Sequence, residues 1–490
     1  MKRYGPAFAC FVALLIATGC EVGPAYKRPT AHVPAQWSSE GPWHTAAPSD
    51  QLPKGTWWSL FNTSELNSLE DQAVAANQNL EAAKARLAQA RAFARIQSAG
   101  LFPQSNVSPS AQRQRVSGNR PTLGSLISPR TDTENTFAIP FNISYEVDLF
   151  GGVRRNLESA NAQLQASAAD LENVKLVMTS ELAADYFTAR ELDAEIDVVR
   201  QALEFQQKDY ELVVRRKNGG IASGLDVAEQ ATVLDGTRTQ LDLLRQTRAQ
   251  YEHAIAVLVG QPASTFKLAQ HPLEAAPPAI PIGVPSDVLQ RRPDVATAER
   301  NMASANAQVG VATAAFYPAI SLFGNGGVSS RDITTLINAP SAIWAVGGQA
   351  IQPLFNGGRN RANLESARAN YDQTVANYRQ DVLVAFQQVE DALSNLNTLQ
   401  SAAVSQEKAV VDAQTALTIA NNRYVGGITT YLDVVTAEET LLSTQRLMTQ
   451  IRGQQMVSAV YLAKALGGGW NADALNGIEV RPHPGQVIQP

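Results

Sequence analysis

The stretch GGIASGLDV at residues 219–227 returns as GGITTYLDV at residues 426–434, 207 residues later, with six of nine positions identical. The paired glycines Gly219-Gly220 and Gly426-Gly427 permit the left-handed backbone that ends a helix. Ser223 with Asp226, and Thr430 with Asp433, have the capping-box spacing that starts one. Each stretch therefore reads as a tight turn between two helices, built twice.

The rest of the chain repeats on the same scale. Asn156-Leu157-Glu158-Ser159-Ala160 recurs as Asn363-Leu364-Glu365-Ser366-Ala367, again 207 residues apart. LFGGVRRN (149–156) matches LFNGGRNRAN (354–363), and Leu101-Phe102-Pro103 matches Phe316-Tyr317-Pro318. These matches divide the chain into a first repeat (61–260), a Pro-rich connector (261–285), a second repeat (286–467) and a tail (468–490). Within each repeat the order is helix, two strands, very long helix, turn, long helix. Leu157, Leu164, Leu171 and Met178 recur every seven residues, as do Ala403, Val410, Leu417 and Tyr424, and Leu244, Tyr251 and Leu258. That spacing predicts long helices packed as coiled coils.

Strands are expected at 104–116, 135–148, 319–330 and 342–353. In 135–148 the apolar Phe137, Ile139, Phe141, Ile143, Tyr145 and Val147 alternate with polar residues, giving one oily and one wet face. Pro140 has no N–H for a ladder, so a local bulge is expected there. A half-buried sheet in a soluble domain is the plain alternative. Four strands cannot close a membrane barrel, and an open edge in lipid leaves backbone groups unpaired. If these strands cross a membrane, the chain must oligomerise: three chains give twelve strands and two give eight, but eight fill their own interior with side chains, and a passage needs more.

Residues 1–19 have the basic start, apolar core and small-residue end of a signal peptide. Ala17-Thr18-Gly19-Cys20 resembles the lipoprotein cleavage site, with Cys20 lipid-modified and residues 20–60 an anchored segment. Glu21 resembles a routing signal to the outer membrane. An ordinary secretory signal with a chance cysteine is the other reading. The remaining chain has 38 basic and 45 acidic residues and no basic run for nucleic acid, and its single cysteine allows no intrachain disulfide.

Five landmarks, TWWSLFNTSELNSL (56–69), YEVDLFGGVRRN (145–156), VPSDVLQRRPDV (284–295), PLFNGGRNRA (353–362) and YLAKALGGGW (461–470), resemble the TolC family of outer-membrane efflux ducts, in its lipoprotein branch. The resemblance implies a mainly α fold with a membrane β segment: a homotrimer with a shared twelve-stranded barrel above a long helical barrel. It implies an exit duct for small molecules, without cofactor, served by a periplasmic adaptor and an inner-membrane pump of the RND (proton-coupled) type. The turns become the docking tips, with Gly219, Gly220, Ile221, Ser223, Leu225, Gly426, Gly427, Ile428, Thr430 and Leu432 in them. Asp433 matches the first of two family gate aspartates, with Asp226 its counterpart in the first turn, while Thr436 stands at the second. Tyr424 matches a tyrosine that ties the closed tip. Thr429 replaces its arginine partner, a part that Arg423 is expected to take. Asp433 is read as either a pore-lining gate or a helix cap.

The five histidines show no metal-ligand spacing, and no GxSxG, P-loop or HExxH occurs. Three rivals stand beside the small-molecule duct: an exit duct for ABC-type polypeptide export, a lipid-anchored coiled-coil scaffold, and the adaptor itself.

Overall fold

The computed structural model describes residues 21–30, 34, 37, 55–115, 133–273, 276–280, 288 and 290–482. The signal segment 1–19, Cys20, most of 31–54, Val116 at the end of the first strand, connector residues 281–285 and tail residues 483–490 lie outside them. In the first unit, α1 (Ser64–Ala76) and α2 (Gln78–Ala99) lead into β1 (Gln104–Val107), β2 (Ser110–Arg115) and β3 (Thr133–Val147). Then come α3 (Gly152–Asn218) and α4 (Gly224–Leu258). In the second, α5 (Pro293–Ala314) leads into β4 (Ala319–Ser330) and β5 (Ala342–Ile351), followed by α6 (Arg359–Val425) and α7 (Tyr431–Ala465). Both long helices have 67 residues and both return helices have 35. At 1.5 Å per residue the long helices span about 100 Å. Strands lie at one end of them and the Gly-Gly turns at the other.

Two four-helix layers share α3 and α6. Near the strands the order is α2–α3–α5–α6, and toward the turns it is α4–α3–α7–α6. Small residues let these helices approach closely. Ser159 and Ser304 join hydroxyls at 2.8 Å across α3 and α5, and the Glu191 side chain lies over Gly453 of α7. Lower down, Arg446 of α7 pairs with buried Glu195 of α3 at 2.6 Å. Buried positions run along α3 from Arg155 to Val213, whereas in α6 they are confined, Ala413 apart, to Tyr378–Leu393. The two helices share length and heptads, so this difference reports position. α6 and α4 are the outer helices of the lower layer, and Val404, Val411 and Ile419 of one and Leu243 and Val257 of the other are exposed.

The strands form one antiparallel sheet in the order β1/β2–β3–β4–β5. β1 and β2 keep a single register on β3, so they are one stave broken at Ser108-Pro109. This corrects the unbroken strand expected at 104–116. The bulge expected at Pro140 is also absent: β3 pairs β4 in unbroken register from Phe137–Ser330 to Val147–Ile320. Pro140 is accommodated by its neighbours instead. Ser108 N–H still donates to the Pro140 carbonyl at 3.2 Å, and on the other side stands Gly327, where a Cβ would collide with the Ile139 carbonyl. The register places Phe137, Ile139, Phe141, Ile143 and Tyr145 on one face with Leu322 and Val328 of β4 and Trp344 and Val346 of β5. That face is uncovered, with Trp344 79% exposed. Its opposite carries Asn106, Gln112, Asn142, Ser144, Ser321 and Asn325. β1/β2 and β5 are open edges.

The described segments nearest the two ends are fastened to the helices. Val22 N–H bonds the Phe150 carbonyl at 3.3 Å, Glu21 pairs with Arg155 at 3.4 Å, Asn306 holds the Pro24 carbonyl and Tyr26 holds Glu299. Gly23 crosses Gly310 so closely that a Cβ on it would lie 2.6 Å from the Gly310 Cα. The connector is pinned by buried arginines: Arg248 donates to the Leu268 carbonyl and Arg190 to that of Ala269, both bonded also to Asp193. Asn161 of α3 binds the tail at both polar groups of Val480.

A valine at Gly310 would invade the space of Arg155, which holds Glu21 of the crossing strap. Overpacking of this kind costs about 1–3 kcal/mol. Limited proteolysis of Gly310→Val should therefore show faster cleavage within residues 21–30 than in the parent, with the hairpin tips unaffected.

Candidate functional site at the hairpin tips

Both turns close by the same backbone bonds. Ile221 N–H reaches the Arg216 carbonyl and Gly220 N–H that of Lys217, both at 2.9 Å; Ile428 and Gly427 repeat this on Arg423 and Tyr424. This is the Schellman pattern, which needs one left-handed residue. Gly220 at φ +75° and Gly427 at +72° supply it. Gly219 and Gly426 have φ of −82° and −74°, so only the second glycine of each pair uses the freedom the pair permits. Arg215, Arg216 and Lys217 end α3 and Arg423 ends α6, where cations meet the negative helix end.

The return helices start differently. Ser223 and Asp226 form the expected capping box, with Ser223 N–H to the Asp226 carboxylate at 2.8 Å and Asp226 N–H to the Ser223 hydroxyl at 3.2 Å. Thr430 and Asp433 do not: Thr430 makes no side-chain cap, and the Asp433 carboxylate accepts from the Thr429 hydroxyl. Thr429, where the first turn has Ala222, adds a hydroxyl that occupies the carboxylate. Asp433 is exposed, and Thr436 turns its hydroxyl back to the Leu432 carbonyl at 2.8 Å.

The tips carry a band of uncovered apolar side chains: Ile221 (77% exposed), Leu225, Val425, Ile428 (70%) and Leu432. Above it the hairpins lock together. Val213 of α3 is buried with Tyr431, Val434 and Val435 of α7. Tyr424 rests on Tyr431 with ring centres 5.0 Å apart, and the Arg216 guanidinium sits 4.8 Å above the Tyr424 ring. The cationic partner of Tyr424 is thus Arg216 rather than the expected Arg423. Arg423 is next to Tyr424 in sequence, and adjacent helix residues point about 100° apart. Arg216 comes from the facing hairpin.

Arg216 and Tyr431 were missed by sequence reasoning. A signal existed. The positions 207 residues before Tyr424 and Tyr431 are Lys217 and Gly224, so the copies disagree at both members of the stacked pair. Among the described residues no cluster of His, Cys, Asp or Glu could hold a metal, and no helix is long and apolar enough to cross a membrane.

Comparison with known proteins supplies a context for this geometry. The family model for the outer membrane efflux protein matches residues 69–261 and 284–468. The pyoverdine export outer membrane protein OpmQ of Pseudomonas aeruginosa is 32% identical over 474 residues, covering 96% of this chain and 98% of its own. The toluene efflux pump outer membrane protein TtgC of Pseudomonas putida is 33% identical over 465 residues, covering 94% of each. The solved outer-membrane channel OprN superposes with a TM-score of 0.85 at 30% identity, covering 92% of this chain and 100% of its own.

The two glycines of each turn should separate under mutation. Gly220→Ala forces a side chain into the left-handed region, at about 1–2 kcal/mol, while Gly219→Ala meets only ordinary contacts. Hydrogen exchange followed by mass spectrometry should show faster exchange at residues 216–226 in the first variant and parent-like exchange in the second.

Proposed function

This chain belongs to the outer membrane efflux protein family, and from that membership we propose that three copies close one wall around a shared lumen. It is an outer-membrane channel component of an efflux pump, in a family of channels rather than enzymes. The observation that carries the trimer is the pair of open edges in each layer, β1/β2 with β5 in the sheet and α4 with α6 among the helices. A sheet with an oily uncovered face belongs in lipid, where every backbone group needs a partner. Three copies of four staves make a closed barrel of twelve, wide enough to leave a passage.

The internal repeat supports a choice of which edges meet. Within one chain Phe150 stacks on Tyr317 at 4.7 Å. Their counterparts in the other repeat are Phe355 and Phe102, and Phe355 is 92% exposed. We place Phe355 of each chain against Phe102 of the next. The lipid anchor fits this placement. Glu21 lies beside Gly151 at the strand end of α3, so an acyl chain on Cys20 would begin at the membrane side of the helical barrel.

At the far end, six turns form the ring that docks a periplasmic adaptor. Ile221, Leu225, Ile428 and Leu432 offer it apolar contact, and Asp433 contributes a ring of three carboxylates to the aperture. Cargo arrives from an inner-membrane pump, which we assign to the proton-coupled RND type. Relatives named for pyoverdine and toluene favour small molecules over polypeptides. Domain limits follow the repeat: 20–60, 61–260, 261–285, 286–467 and 468–490.

Phe102→Cys combined with Phe355→Cys, purified in detergent and oxidised, should give covalent trimers, with neither single variant doing so. The trimers should conduct ions across planar bilayers. Monomers without conductance would refute the duct and favour the lipid-anchored scaffold.

A further inference from the structure

Three non-helical segments are held by one face of α3. Asn161 binds the tail at Val480, Thr179 accepts from the Trp57 indole at 3.2 Å, and Arg190 donates to the Ala269 carbonyl of the connector. These positions are 18 and 11 residues apart, which at about 100° per residue brings them within about 20° of one direction. In a closed duct that face is the outside, because segments packed on the other would fill the lumen. Glu172 stands in the same direction. A cavity of about 290 Å³ opens there between α3, the turn Trp57–Phe61 and the segment after α7. By the helical rise it lies about 30 Å below the strand end of α3.

The cavity has an aromatic lining and a charged rim. Trp57 and Trp58, both buried, line it with rings at 81° to each other, and half-buried Trp470 joins them. Gly467, Gly468 and Gly469 all have left-handed backbone, so their wall is bare of side chains. A Cβ on Gly468 would lie 2.5 Å from Leu176 and 3.0 Å from the Trp57 ring. Charge comes from Glu172 and Lys175 of α3 and from Asp473. Elsewhere opposite charges three residues apart join: Arg155 with Glu158, Arg190 with Asp193 and Asp235 with Arg238, at 2.6, 2.8 and 2.9 Å. Glu172 and Lys175 share that spacing, yet among the described residues neither is in an ion pair, so both heads are left for an occupant. Asn471 accepts the Asp473 N–H at 2.8 Å through its carbonyl, which leaves its amide nitrogen to donate.

The geometry points to a carbohydrate site: we propose that this cavity takes one N-acetylhexosamine ring of the cell-wall glycan. The charges select the class. Two carboxylates oppose an anion such as phosphate, and Lys175 opposes an organic cation. A neutral ring rich in hydroxyls suits both signs, since carboxylates accept from it while ammonium and amide groups donate to it. The C–H face of a pyranose packs on indole, an apolar body with a polar tip. An acetamido group adds an acceptor for Lys175 or Asn471 and a methyl for the aromatic lining. The volume is at the low end of ligand pockets, ~300–1,000 Å³, and so suits a single sugar ring. The location agrees, and here the inference rests on the duct reading. A channel from the outer membrane toward an inner-membrane pump passes through the cell-wall layer, where its outward face meets glycan. Bound glycan would hold the duct at one height in that layer.

The test uses the full-length protein in detergent. It should co-sediment with Gram-negative sacculi, and equally with glycan strands from which an amidase has removed the peptides. Saturation-transfer NMR should show the soluble trimer of N-acetylglucosamine bound through its ring and acetyl protons. Choline should give no such signal, and inorganic phosphate should not displace the sugar. Glu172→Gln and Trp470→Ala should each weaken sugar binding about tenfold, with conductance in planar bilayers at the parent's level. Sacculi left unbound, or binding lost with the peptides, overturns the site. So does a sugar signal unchanged in both variants, or a choline signal that Glu172→Gln abolishes. If Trp470→Ala does not assemble, Glu172→Gln decides alone. A conducting protein that ignores the glycan refutes the site and leaves the duct. A silent protein that binds the sugar in the parent form but not as Glu172→Gln would refute the duct and leave the site standing.

Discussion

The backbone hydrogen bond at a strand edge is the constraint on which this molecule is built. In water an unpaired N–H finds solvent; in hydrocarbon it finds nothing, at a cost of several kcal/mol per group. One chain provides four staves and leaves both outer ones, β1/β2 and β5, with a free side. The helices below carry the same incompleteness, since α6 buries side chains along only part of a length that its twin α3 buries almost throughout. Sheet and helices are each left with two open edges, which the proposed association would close together. An aperture wider than a single chain could surround follows from closing it with several.

Duplication makes that closure economical in design. Helices of 67 and 35 residues occur twice, and the turns joining them close by the same two backbone hydrogen bonds. Contacts between the two repeats inside a chain are therefore the pattern for the contacts we propose between neighbouring chains. Function enters where the copies differ. Arg446 pairs with Glu195 between α3 and α7, whereas the matching positions are Thr239 and Ala402, which cannot form an ion pair. The tip follows the same rule.

Much of this was legible in the sequence because it rests on periodicity. Heptad spacing from Leu157 to Met178 gave the long helices, alternation from Phe137 to Val147 gave the membrane face, and the GGI…LDV pair gave the turns. What escaped was decided by partners distant in sequence. Pro140 predicted a bulge when considered alone, but Gly327 across the ladder and the break at Ser108-Pro109 absorb it without one. Thr430 has the residue type of a cap, yet Thr429 takes the carboxylate that would complete the box. Arg216 lies 208 positions from the ring it covers, and only the meeting of two hairpins brings them together. Local pattern specifies an element; which side chain it meets depends on the packing of the other hairpin.

The central claim is that the edge strands are paired by another copy of the chain, and amide exchange of the protein in its lipid environment tests it most directly. β5 N–H groups that point away from β4 should exchange as slowly as those of β4 itself, which is paired on both sides. Exchange of those outward amides at the rate of an open edge, with β4 still protected, would contradict the account.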